Sequence, residues 1–163
     1  MSSLWFYQIP VLGRCGIEVE DDCITRLLLG SEAAGECRGT ETSLMKEAAK
    51  QLCEYAEGKR VCFTVPVRPE GTAFQRKVWE RLGQIPWGAF DTYGKVAASP
   101  GIPGGARAVG SAVGANPIPI IIPCHRVLAS GGKLGGFRLG KDFKVKLLDL
   151  EHLPYHDRKI EKI

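Results

Sequence analysis

Polar and apolar residues alternate through Gly16-Ile17-Glu18-Val19-Glu20, and Asp21-Asp22 separates that run from Cys23-Ile24-Thr25-Arg26-Leu27-Leu28-Leu29. Two such runs on either side of a short polar pair predict a β-hairpin. The period then lengthens. Over residues 42–57, Leu44, Ala48, Leu52, Tyr55 and Ala56 recur at helical spacing and predict an amphipathic helix with those side chains inward. Arg60 to Val67 is rich in β-branched and aromatic residues and reads as another strand. Val65-Pro66-Val67-Arg68-Pro69-Glu70-Gly71 reads as a linker to a second unit.

That unit opens with a clear helix start. Thr72-Ala73-Phe74-Gln75 fits a capping box, Phe74, Val78, Trp79 and Leu82 form an apolar stripe, and Gly83 closes it. A turn at Ile85-Pro86-Trp87-Gly88 leads to a short helix from Thr92 to Ala98. A Gly/Pro break at residues 99–105 follows, and then a second helix from about Ala106 to Ala115. Two short helices across a tight break predict a helix-turn-helix. Ile118 to Leu128 reads as extended, Ala129 to Gly136 as a glycine-rich loop, and Lys141 to Leu150 as a final helix with Phe143, Leu147 and Leu150 inward.

The helix from Ala106 has an unusual outer face. Val109 and Val113 point inward, leaving Arg107, Ser111 and Gly114 outside with Gly110 beside them. Apart from the arginine that face is nearly bare. It permits close backbone approach to a narrow groove; the alternative is tight helix packing through small residues.

Composition narrows the class. In 163 residues, 44% apolar and 25% charged, there is room for one ordinary domain or two small ones of a soluble globular protein. Met1 to Pro10 lacks the basic start and long apolar stretch of a secretory signal, and no segment has the apolar length of a membrane helix. A cytoplasmic protein is expected, nuclear if the source is eukaryotic. In that setting the six cysteines stay reduced. Cys15, Cys23, Cys37, Cys53 and Cys62 show no C-x-x-C pairing, and Pro154 breaks the helical spacing of His152 and His156, so no metal site is expected. The charge is divided. Residues 1–70 hold 8 Lys/Arg against 11 Asp/Glu, a net of −3; residues 71–163 hold 14 against 7, a net of +7. The second part is the one suited to a polyanion such as DNA.

The most informative segment is Ile122-Pro123-Cys124-His125-Arg126-Val127, which places a thiol beside an imidazole after an apolar run. A neighbouring base or positive surroundings ease the loss of a thiol proton and create a strong nucleophile. On the dipeptide alone, a buried core cysteine is an equal alternative.

With these pieces in order, residues from about Phe74 to Glu151 resemble the O6-alkylguanine-DNA alkyltransferases. The resemblance rests on Val78-Trp79, Ile85-Pro86-Trp87-Gly88, Thr92-Tyr93-Gly94, Arg107-Ala108-Val109-Gly110, Asn116-Pro117, Pro123-Cys124-His125-Arg126-Val127, Gly135-Gly136-Phe137 and Leu147-Leu148-Asp149-Leu150-Glu151. It implies an α/β amino-terminal domain over residues 1–68, a ribonuclease-H-like small antiparallel sheet with helices. A mainly α carboxy-terminal domain with a winged-helix or helix-turn-helix motif would occupy residues 69–163.

The implied activity is irreversible, single-turnover transfer of the alkyl group from O6-alkylguanine, and O4-alkylthymine, in duplex DNA to Cys124. No cofactor or metal takes part. His125, through a water and steadied by Glu151, would draw the thiol proton. Tyr93 would donate toward guanine N3, and Arg107 would fill the gap left by the extruded nucleotide. Ala106, Gly110, Ser111 and Gly114 would complete the face on DNA, and Asn116 would be the hinge. Val127, Phe137 and Arg138 would line the base pocket. Phe137 departs from the more common tyrosine, and Arg138-Leu139 from smaller or tryptophan-containing versions. Arg126 reads as structural support. The expected partner is double-stranded DNA carrying O6-alkylguanine, bound by a monomer, with no membrane involved. A damage-sensing DNA binder of the alkyltransferase-like kind lacks the motif cysteine. A Cys–His hydrolase leaves the helix-turn-helix unexplained, and a transcription factor of this kind carries a metal-binding activator domain not seen here.

Overall fold

Asp21 and Asp22 both take left-handed backbone, with φ of 52° and 59°. Two such residues in a row make the primed turn whose twist suits a tight hairpin, and short polar side chains tolerate it. A computed structural model describes residues 2–155 of the chain. In it this turn joins β2 (Gly13–Glu20) to β3 (Cys23–Leu28), and β1 (Ser3–Ile9) pairs with the other edge of β2. The result is a three-stranded antiparallel sheet in the order β1-β2-β3. Helix α1 (Ser43–Ala56) packs on it, its first turn capped by the Thr42 side chain accepting from the Met45 N–H at 3.2 Å. The buried stripe of α1 includes Met45, Ala48, Leu52, Tyr55 and Ala56, whereas Leu44 is only half-buried.

The strand expected over Arg60 to Val67 does not form. Thr64 is tied to Gln51 of α1 through both its N–H and its hydroxyl, and Arg60 folds back onto Glu54 and the Cys62 carbonyl. Only Val67 bridges to Ile24, through Pro66 O and the Arg68 N–H. The linker segment therefore closes the first unit, and the chain divides between Glu70 and Gly71.

In the second unit the capping box is complete. Thr72 accepts from the Gln75 N–H at 3.1 Å, and Gln75 Oε1 accepts from the Thr72 N–H at 2.9 Å, at the start of α2 (Ala73–Leu82). Val78, Trp79 and Leu82 are buried, and the Trp79 indole donates to Ala112 O of α4 (Ala106–Gly114) at 2.8 Å. Helix α3 (Tyr93–Ala97) packs against both, giving the helix-turn-helix. A two-residue parallel pair, β4 (Asp91–Thr92) with β5 (Val127–Leu128), joins the start of α3 to the chain just after the cysteine turn. Helix α5 (Lys141–Leu150) closes the unit. It buries Lys144, Leu147 and Leu148, while Phe143 and Leu150, expected inward, are half-buried.

Of Ile118 to Leu128, expected to be extended, only Val127–Leu128 forms a strand. Pro117, Pro119 and Pro123 supply no N–H to a ladder, so the segment folds into successive tight turns. Ile120 takes φ 73°, and Cys124–Arg126 form one 3-10 turn. His156 lies outside the described residues. Among the described residues no helix is long and apolar enough to cross a membrane.

Candidate active site

Asn116, fully buried just past the end of α4, holds the turn segment from inside. Its Nδ2 donates to Ile122 O at 2.8 Å, and its Oδ1 accepts from the Ile118 N–H at 3.0 Å. With the loop spanned from both ends, Cys124 sits at the floor of a cavity of about 550 Å³ with 5% of its surface exposed. The same cavity is lined by Tyr93, Ala106, Arg107, Gly110, Gly114, Phe137 and Arg138. Ser111 lies exposed on the neighbouring turn of α4 without lining the cavity. Arg107 is exposed at the cavity rim and makes no ion pair or hydrogen bond among the described residues.

Val127 corrects the expected pocket. It is fully buried behind the cavity and does not line it, because pairing with Asp91 turns it into the core and its carbonyl is taken by Lys144. Arg138 does line the cavity, but its guanidinium reaches across to the end of α4, donating to Gly114 O at 2.7 Å and Asn116 O at 2.9 Å.

The Tyr93 ring is held between two glycines. A side-chain carbon on Gly135, whose φ is 69°, would stand 3.1 Å from the ring, and one on Gly110 would stand 3.8 Å away. The Tyr93 hydroxyl donates to Gly136 O at 3.3 Å. Burial raises its pKa, with the nearby cysteine adding to the effect, so the phenol keeps its proton.

Behind the thiol lies a buried charged cluster. His125 Nε2 donates to Glu151 Oε2 at 2.6 Å. Arg126 grips both carboxylate oxygens, Nε to Oε1 at 2.8 Å and Nη2 to Oε2 at 3.0 Å, and its Nη1 donates to Ile85 O. The Gly88 N–H reaches Glu151 Oε1 at 3.4 Å. Two-point contact of this kind satisfies a buried carboxylate that would otherwise be costly. Because an ionised carboxylate only accepts, the His125 proton sits on Nε2 and Nδ1 is left with its lone pair. Nδ1 makes no hydrogen bond to protein, so the sequence neighbours Cys124 and His125 are not directly bonded.

Burial sets the resting states. It pushes the Cys124 thiol up, against hydrogen bonding from Asn116 and the charges of Arg138 and Lys144, which pull it down. It pushes His125 down; the bond and charge of Glu151 oppose this, while Arg126 and Lys144 add to it. The imidazole is therefore neutral and able to accept a proton. All six cysteines are free thiols.

Sequence reasoning missed Lys144, and saw Arg126 as support without seeing its grip on Glu151. The signal for Lys144 was on hand. With Glu151 inward, helical spacing also places Lys144, Leu147 and Leu148 on that face.

Comparison with known proteins points to one family. Residues 5–69 match the family profile described as the ribonuclease-like domain of 6-O-methylguanine DNA methyltransferase, and residues 73–153 match its DNA binding domain. The chain is 39% identical over 155 residues to the constitutive methylated-DNA–protein-cysteine methyltransferase of Bacillus subtilis, spanning 90% of this chain and 94% of that one. It is 48% identical over 168 residues to the Haemophilus influenzae methylated-DNA–protein-cysteine methyltransferase, across 99% and 93% of the two chains. A crystal structure of Mycobacterium tuberculosis OGT in complex with DNA superposes with a TM-score of 0.81 at 36% identity, covering 91% of each chain.

Proposed function

The chain belongs to the 6-O-methylguanine DNA methyltransferase family, and from that premise we propose that it repairs O6-alkylguanine, and O4-alkylthymine, in duplex DNA by moving the alkyl group to Cys124. One observation carries the assignment of residues: a single cavity joins the Cys124 thiol, the Tyr93 phenol and the unpaired Arg107.

O6 lies inside the base stack, and the thiol lies at the bottom of a cavity, so the nucleotide must leave the duplex to react. The bare face of α4 approaches the minor groove with Ala106, Gly110, Ser111 and Gly114, and Arg107 enters the space the nucleotide vacates. Tyr93 lies on the same side. The thiol proton passes through a water to His125 Nδ1, whose ring is held in the correct tautomer by Glu151. The sulfur lone pair forms the S–C bond, and the C–O6 pair leaves with guanine, which takes a proton on N3 from Tyr93. The product is a thioether with no route back to a thiol, so each chain acts once. Asn116 holds the loop that sets the thiol's position, and the protein acts as a monomer without cofactor.

The test is intact-protein and peptide mass after mixing the protein with a slight excess of duplex bearing one O6-methylguanine. One methyl per chain on the Cys124 peptide, absent from Cys124→Ala, is expected. Tight binding of the lesion without an adduct would instead make the protein a damage-sensing DNA binder.

A further inference from the structure

Arg138 ties one wall of the cavity to the other. Helix α4 forms the first wall, through Gly110, Val113 and Gly114, and the loop from Gly136 to Leu139 forms the second. Arg138 Nη1 donates from the loop to Gly114 O at 2.7 Å and to Asn116 O at 2.9 Å. These acceptors stand at the end of α4, where carbonyls lack partners within the helix and the helix dipole favours a cation. Glycines bracket the loop. Gly135 and Gly140 take φ of 69° and 98° on either side of Phe137-Arg138-Leu139, so the backbone turns there without the strain another residue would meet. The inner end is pinned, because Gly136 O accepts from the Tyr93 hydroxyl and from Lys144. Arg138, which is exposed, ties the outer end to α4.

We propose that Arg138 is a specificity-determining residue: its bonds to the end of α4 strap the cavity against a free alkylated base and yield to the same base carried by a duplex. The proposal rests on reading Cys124 as the alkyl acceptor. A base must pass between α4 and the loop to reach the sulfur, and widening that gap breaks two bonds from a charged donor. A free base brings no anion to replace them. A duplex docked on the bare face of α4 brings phosphates to Gly114, which is the strap's own anchor. A phosphate carries a full charge and accepts a guanidinium through two parallel bonds, so it outcompetes a pair of neutral carbonyls. The guanidinium exchanges carbonyls for phosphate, and the loop is released from the helix. In a protein that acts once, this arrangement keeps the thiol for lesions in DNA.

The test sets two substrates against each other. Methyl on the Cys124 peptide is followed by mass in the full chain and in Arg138→Met, with O6-methylguanine supplied as the free base or within a duplex. Arg138 is exposed, so its replacement leaves the core intact. The ratio of duplex to free-base rate should fall at least about tenfold, the factor equivalent to one charge-assisted hydrogen bond. Equal change on both substrates would mean a merely structural role and overturns the proposal. The log–log salt slope of duplex binding should become shallower by about one, as for any lost phosphate contact. An unchanged slope overturns the exchange. A measurement without DNA separates the strap from the repair reading: labelling of the Cys124 peptide by iodoacetamide and by its bulkier N-benzyl analogue. Arg138→Met should raise the ratio of bulky to small labelling about tenfold, and an unchanged ratio refutes the strap. A raised ratio in a chain that takes methyl from neither substrate would overturn the repair reading and leave the strap standing.

Discussion

Arg107 and Arg126 are the same residue type in opposite circumstances. Arg126 is buried and spends its guanidinium on Glu151 and Ile85 O, whereas Arg107 stands at the cavity rim with no ion pair or hydrogen bond among the described residues. A long cation left unpaired at a bare helix face is suited to a partner outside the protein. Arg107→Ala should therefore slow transfer from duplex DNA at least about tenfold, the equivalent of ~1.4 kcal/mol, while barely changing reaction with the free O6-alkylguanine base. Single-turnover rates on the two substrates check this, and equal loss on both would remove the extrusion role. Much of the cavity around Cys124 was legible in the sequence, because Tyr93, Arg107, Gly110, Phe137 and Arg138, singled out from their motifs, all line it. Lys144 was overlooked although its spacing from Glu151 puts it on the inward face, because the carbonyls that satisfy its ammonium come from residues 127, 134 and 136 and are not visible in the spacing. Val127 was misplaced for a related reason: whether a residue lines a cavity or backs it depends on a strand pairing only two residues long.

Elements with a strong local period were read correctly from residues alone. The hairpin around Asp21-Asp22, helix α1, helix α2 with its box, and α5 all combine a clear pattern with a turn or cap. Strand β1 escaped notice because Leu4-Trp5-Phe6-Tyr7 is a continuous apolar and aromatic run without alternation. Arg60 to Val67 failed in the opposite sense: β-forming residues were present, but Gln51 of α1 took the bonding groups of Thr64 and the Arg60 side chain took the Cys62 carbonyl. In the cysteine segment three prolines and Asn116 outweighed the apolar composition. The capping box of α2 gives a clean test at this scale. Thr72→Ala removes the acceptor for the Gln75 N–H and should cost about 1 kcal/mol, read as a lower denaturant midpoint at unchanged slope. Because Trp79 of that helix donates to Ala112 O of α4, fraying there should also be visible in tryptophan fluorescence before global unfolding.

Over the whole molecule, charge and burial divide the labour. The basic surplus lies in residues 71–163, the part matched to the DNA binding domain, and the acidic surplus in residues 1–70. Transfer to Cys124 changes the packing at one point only, placing an extra methyl on a residue with 5% of its surface exposed. Overfilling the close-packed floor of the cavity costs about 1–3 kcal/mol, so the methylated chain should melt several degrees below the unmodified one in paired thermal scans. Equal melting temperatures would mean that the cavity accepts the methyl without strain. The same burial has a practical consequence for anyone handling the protein. A reagent consumed in a single event is characterised by how many working copies remain, and a thiol assay is the obvious way to count them. Yet Cys37 and Cys62 are exposed while Cys124 is shielded and holds its proton at rest. A colorimetric reagent would be spent on the exposed bystander sulfurs first, and after unfolding a stock in which every copy had already fired would still score five of six. Potency has to be assayed at one sulfur, because the bulk titre barely registers its loss.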